Sequence, residues 1–132
     1  MGIRLQTIGV IVGDMKRSLD FYRVLGLPIA PDAHDETNLD VELPNGVTLG
    51  FLLESVARQA DPSFKTPVGA ALNLQFQVDA PAEVDATHTR LTAAGYPSHA
   101  APWDAPWGQR FARVADPDGR IVNVYAHLSR PA

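Results

Sequence analysis

Residues 5–12, LQTIGVIV, place Ile8, Val10 and Val12 at every second position, the period of a strand buried on one face. Asp14 then opens a helix in DMKRSLDFYRVLG, where Met15, Leu19 and Tyr22 form one apolar stripe and Gly26 ends it. The pattern returns from residue 72, where Leu72, Leu74, Phe76 and Val78 alternate with Asn73, Gln75 and Gln77. A second helix follows, with Pro81 in its first turn, Val84, His88 and Leu91 on one face and Gly95 at its close. A hairpin completes each copy: LPNGVTLGFL at 43–52 and DPDGRIVNVY at 116–125 both read as strand, tight turn, strand.

The spacing between copies grows only at connections. Val78 follows Val12 by 66 residues, Gly95 follows Gly26 by 69 and Gly119 follows Gly46 by 73. Small loop insertions are thermodynamically cheap, so this drift is the mark of a structural repeat. The expected architecture is α+β: one domain, 1–132, built from two βαβββ modules of about 5–54 and 70–127, with 55–69 as the linker. Curved mixed sheets carry a helix on one face and enclose a cleft with the other. The second strand of each module, LPIAPDA or YPSHAAP, contains prolines and is expected to be an edge or irregular strand.

Alternation also sorts the residues of the open face. It assigns Thr7, Gly9 and Ile11 to that face in one module, with Thr48, Gly50 and Leu52, and Asn73, Gln75 and Gln77 in the other, with Ile121, Asn123 and Tyr125. The strand in WGQRFARVAD adds Gln109, Phe111 and Arg113. These residues give an amide-rich floor with aromatic walls from Phe111, Tyr125, Trp103 and Trp107. The segment PWDAPWGQR, 102–110, reads as a proline-stiffened loop serving as lid, ligand wall or interface between copies.

Composition narrows the chemistry. With 45 % hydrophobic and 20 % charged residues, the chain has ordinary globular proportions. The absence of cysteine excludes disulfides, thiolate metal sites and thiol nucleophiles. A net charge of −4 argues against a nucleic-acid partner and favours a neutral or cationic ligand. The sequence has neither a long apolar run nor a leader-like start, so no membrane partner and a cytoplasmic location are expected. Nucleophile elbows, phosphate loops and dinucleotide fingerprints are missing.

Of the imidazoles, His88 lies on an apolar helix stripe, His34 and His99 fall in the weak strands, and His127 reaches at most the cleft mouth. Asp40 and Glu42 share one strand face, as a general base, as cation support or as solvated charges. Asp104, beside Trp103, offers a salt bridge to a basic ligand.

The stretches IGVIVGDMKRSLDFYRVLGLPI and PWGQRFARVADPDGRIVNVYA resemble the glyoxalase, bleomycin-resistance protein and extradiol dioxygenase superfamily, the vicinal oxygen chelate fold, over about residues 5–127. Metal-using members hold a divalent ion with side chains from the first and last strand of each module. By register, the resemblance assigns those four places to Thr7, Asn73, Gly50 and Asn123, none a usual ligand of a catalytic metal. It therefore points to the metal-free bleomycin-resistance-like branch, without a cofactor, and implies a homodimer.

The expected function is metal-independent binding of a small aromatic or cationic molecule, as in sequestration of an antibiotic or toxin. Trp103, Trp107 and Phe111 are expected to stack on it. Thr7, Asn73, Gln75, Asn123 and Tyr125 are expected to hydrogen-bond it, and Arg113 to meet an anionic or carbonyl group. Two alternatives stand beside this: an enzyme of the lyase, isomerase or dioxygenase type with an atypical metal site, and a non-catalytic partner module using the aromatic segment as its interface.

Overall fold

The last strand of each module pairs in parallel with the first, and this places it inside its sheet. The computed structural model describes residues 2–67 and 72–128, which divide into two compact units, Met1–Val68 and Gly69–Ala132. Residues 68–71, where the expected linker ends and the second module begins, lie outside the described residues.

The first unit runs β1 (Thr7–Val12), α1 (Met15–Leu25), β2 (Asn38–Glu42), β3 (Thr48–Leu53) and α2 (Glu54–Ala60). Its sheet order is β1-β3-β2, with β3 parallel to β1 and antiparallel to β2. The second unit runs β4 (Leu74–Gln77), α3 (Pro81–Ala93), β5 (Ser98–Ala105), β6 (Gln109–Ala115) and β7 (Ile121–His127), in sheet order β4-β7-β6-β5.

Local chemistry explains the helices. Asp14 has extended backbone geometry, and its carboxylate accepts from the Arg17 N–H at 2.9 Å, capping α1. Met15, Leu19 and Tyr22 are buried as the stripe requires, and the Tyr22 ring lies 5.1 Å from that of Phe51 on β3. At the far end, the Gly26 N–H returns to the carbonyls of Tyr22 and Arg23. On α3, Val84 and Leu91 are buried, while half-buried His88 places Nε2 2.7 Å from Ser98 Oγ of β5. That contact accounts for His88 as a structural residue.

The two turns before the last strands are built alike. Gly46 and Gly119 take φ values of +89° and +81°, a region that side chains with a Cβ rarely enter. The Asp116 carboxylate anchors the second turn, accepting from the N–H groups of Asp118 and Arg120 at 3.0 and 2.9 Å.

Two expectations fail in the first unit, and each failure has a physical cause. LPIAPDA forms no strand; a single 3-10 turn, Ala33–Asp35, begins at its last residue, and the sheet has three strands instead of four. Pro28 and Pro31 lack ladder donors, and the Arg23 guanidinium takes the carbonyls of Ile29 (3.3 Å) and Ala30 (2.9 Å) that a neighbouring strand would need. All but the first residue of α2 falls in the expected linker, and the helix packs on β3 and β1. Only Ala57 of that helix is buried, so its sequence carries almost no apolar period.

YPSHAAP does form a strand, β5, with register shifts on either side of Ala100 that accommodate its prolines. The strand continues through Trp103 to Ala105, so PWDAPWGQR is a tight β-hairpin and not a loop. Among the described residues no helix is long and apolar enough to cross a membrane.

Arg110 of β6 clamps α3 to the sheet. Its Nε and Nη2 meet the two oxygens of Asp85 at 2.9 and 2.8 Å, and Nη1 reaches Asp104 at 3.1 Å. The Arg110 hydrogen bond holds the Asp85 carboxyl below the usual carboxylate range. A lowered folded-state pKa contributes stability above the unfolded value, and that contribution is lost as pH falls through the folded one. In urea melts, Asp85→Asn is therefore expected to lower stability at neutral pH, with the gap to wild type closing below about pH 4. Asp14→Ala is expected to cost about 1 kcal/mol in the same assay through loss of the α1 cap.

Candidate functional site: the open sheet face of the second unit

In β7, Val122, Val124 and Ala126 are buried on the side where α3 packs, so Ile121, Asn123, Tyr125 and His127 face the other way. Interstrand register sets their neighbours. Asn123 lies opposite Gln75 of β4 and Arg113 of β6, forming a polar row Gln75–Asn123–Arg113. Tyr125 lies opposite Gln77 and Phe111, and Phe111 in turn opposite Trp103 of β5, forming an aromatic row beside it.

Trp107, in the β5–β6 turn, extends the aromatic row. Its ring is perpendicular to those of Trp103 and Phe111, with centroids 5.5 and 5.4 Å away. The indole N–H donates to Gln109 Oε1 at 2.9 Å, fixing the ring's orientation. Phe111 is only 4 % exposed, whereas Trp103 and Trp107 are 43 % and 53 % exposed. Phe111 thus serves as the base on which Trp107 and Arg113 rest, the Arg113 guanidinium carbon lying 5.1 Å from its ring centroid. The two tryptophans present the accessible aromatic surface.

Asn123 is the anomaly of this face. It is 3 % exposed, and its Oδ1 is buried without a hydrogen-bond donor among the described residues. Leaving such an acceptor unmet costs about 1–3 kcal/mol. Arg113 beside it forms no ion pair among the described residues. Asp104 is turned to the other side of the sheet, where it meets Arg110, and so does not reach a ligand on this face.

The remaining expected site residues are placed less tightly. Asn73 is exposed and lies one residue before β4. Thr7 belongs to the first unit, where it is paired with Thr48. On that sheet, Gly9, Gly50 and Asp40 form one row across β1, β3 and β2. A Cβ on Gly50 would lie 3.1 Å from Asp40 Oδ1 and 3.6 Å from Thr7 Cγ2, so the carboxylate of the neighbouring strand leans over the glycine.

These donors do not fit a catalytic divalent ion. Thr7 and the two asparagines offer neutral oxygens and Gly50 has no side chain, whereas such ions prefer imidazole or carboxylate. Among the described residues, no three of His, Asp and Glu converge as a metal-holding group.

This two-module architecture, with its paired turns, is matched by a family model. The glyoxalase/bleomycin resistance protein/dioxygenase superfamily model covers residues 4–124, and the chain belongs to that superfamily. It is 33 % identical over 134 residues to an uncharacterized protein, YraH, of Bacillus subtilis (strain 168), covering 96 % of this chain and all of that one. Among solved structures it is similar to a glyoxalase/bleomycin resistance protein/dioxygenase family enzyme from Burkholderia phytofirmans PsJN. There the TM-score is 0.82 at 20 % identity, over 96 % of this chain and 100 % of the other. A glyoxalase-related enzyme from Fulvimarina pelagi matches with a TM-score of 0.78 at 26 % identity, over 94 % and 88 % of the two chains.

Strand parity placed the polar row and Tyr125 and Phe111 on one face from sequence, while Trp103, expected in a loop, joins their row as part of β5. The support of Trp107 by Gln109 and the lean of Asp40 over Gly50 were missed, since both depend on side-chain reach across strands. Because the buried Asn123 Oδ1 has no donor among the described residues, replacing the side chain with a similarly shaped apolar one costs little. Asn123→Leu is expected to leave urea stability within about 1 kcal/mol of wild type or to raise it. Asn123→Ala is expected to be the less stable of the two, because it opens a cavity.

Proposed function

We propose that the protein is a metal-independent binder of a small planar molecule, held on the open sheet face of the second unit. The observation that carries this reading is the buried Oδ1 of Asn123, without a donor among the described residues, flanked by Arg113, which forms no ion pair among them, with the exposed Trp103 and Trp107 at the outer end of the adjacent aromatic row. Such groups cost stability in the free protein and are offset when a guest supplies the missing partners. Sequestration of a toxic or antibiotic molecule is the activity that fits a container of this kind. Its working form is a homodimer, which sedimentation tests directly.

Trp103 and Trp107 are the protein's two tryptophans, so their fluorescence reports occupancy. Titration with planar molecules of positive, neutral and negative charge is expected to quench the signal. Trp103→Ala and Trp107→Ala are each expected to weaken binding about 3- to 10-fold, the worth of one stacked aromatic contact. Unchanged affinity in both variants would remove the tryptophans from the site. The enzymatic alternative with an atypical metal predicts stoichiometric retention of Zn, Ni, Mn or Fe(II) after desalting, lost in Asp40→Asn or Glu42→Gln; that result would overturn the metal-free reading.

A further inference from the structure

The charge on this face limits what it can hold. Arg113 is the one formally charged side chain in the two facing rows, and its guanidinium is held over Phe111 with no carboxylate against it among the described residues. The unit's other well-placed acids are committed elsewhere. Asp85 and Asp104 are paired with Arg110, and Asp116 holds Arg120 at the turn. The two rows therefore carry one formal positive charge and no negative one, although the chain as a whole carries −4.

Three complementary groups are thus held in a fixed pattern, with Arg113 exposed and Asn123 Oδ1 buried beside it. Arg113 calls for an anion, and a fork of N–H donors suits a carboxylate. Asn123, whose Cα lies about 5 Å from that of Arg113 across the ladder, has a buried Oδ1 that calls for an N–H or O–H donor. Two residues along the same two strands, about 6–7 Å away, lie Tyr125 and Phe111, with Trp103 one strand further out on β5 and Trp107 packed on Phe111, and this row calls for a ring.

We propose, building on the binding role given above, that the ligand is an aryl-substituted carboxylate whose neighbouring carbon bears an N–H or O–H donor. The carboxylate pairs with Arg113, the adjacent donor meets Asn123 Oδ1, and the ring lies along Tyr125 with its edge toward Trp107, which packs on Phe111. One or two bonds between the donor-bearing carbon and the ring cover the distance between the rows. This selects against cationic guests, which would face Arg113 unshielded.

Three related probes separate the contacts: 3-phenyllactate, its neutral amide, and 3-phenylpropionate, which lacks the hydroxyl. Binding is read from tryptophan fluorescence excited where the phenyl ring does not absorb. The wild type is expected to bind 3-phenyllactate about 10-fold or more tighter than the amide, and about 3- to 10-fold tighter than 3-phenylpropionate. Arg113→Gln is expected to abolish the first preference and keep the second, and Asn123→Leu the reverse. Asn123→Ala gives the same readout if Asn123→Leu does not fold.

Equal binding of acid and amide, or a preference that survives its matching substitution, overturns the assignment while leaving a planar-ligand site intact. No response to any of these probes, together with none to the charged and neutral planar panel, overturns both the ligand class and the binding role.

Discussion

Everything on the candidate face follows from the strict two-residue alternation of an interior strand. β7 is hydrogen-bonded on both sides, so its residues have no lateral freedom, and burying Val122, Val124 and Ala126 beneath α3 commits Asn123 and Tyr125 to the opposite side. A slip of one residue would bury a polar amide among the helix contacts and expose three core residues. The hydrophobic term thus holds the polar row in register, and the neighbouring strands then supply Gln75 and Arg113 at fixed spacing.

The same rows in the two modules have diverged in opposite directions. Where the second unit carries Gln75, Asn123 and Arg113, the first carries Gly9, Gly50 and Asp40 at the corresponding rungs. The turn residues and the helix-side apolar set are retained in both. Duplicated scaffolds tolerate this because the open-face positions contribute little to the core, leaving their chemistry free to change. The result is a bare, acidic row in one module and an amide-lined, basic row in the other.

Much of this was legible in the chain itself. Alternating apolar residues in the strands and the Asp14 cap carry strong local signals, and they located β1, α1, β3, β4, α3 and β7 and the face of each strand. The absent second strand of the first unit was not legible, because it depends on the Arg23 guanidinium reaching the carbonyls of Ile29 and Ala30. The helix α2 escaped notice because one buried alanine creates no periodicity. On the candidate face, parity gave the orientation of the strand residues but neither their accessibility nor the strand that carries Trp103. Phe111 lies beneath Trp107 and Arg113, a layering that only side-chain packing determines.

The irregular register of β5 has a consequence at the margin of the second sheet. An outer strand with evenly spaced free N–H and C=O groups is a template onto which another extended chain can add. Here the register shifts around Ala100, together with Pro97 and Pro102, break that even spacing along the outer strand. The irregular register of the strand that carries Trp103 therefore also guards the sheet against strand-by-strand self-assembly. A protein that displays two exposed tryptophans so close to a sheet margin has particular need of that protection.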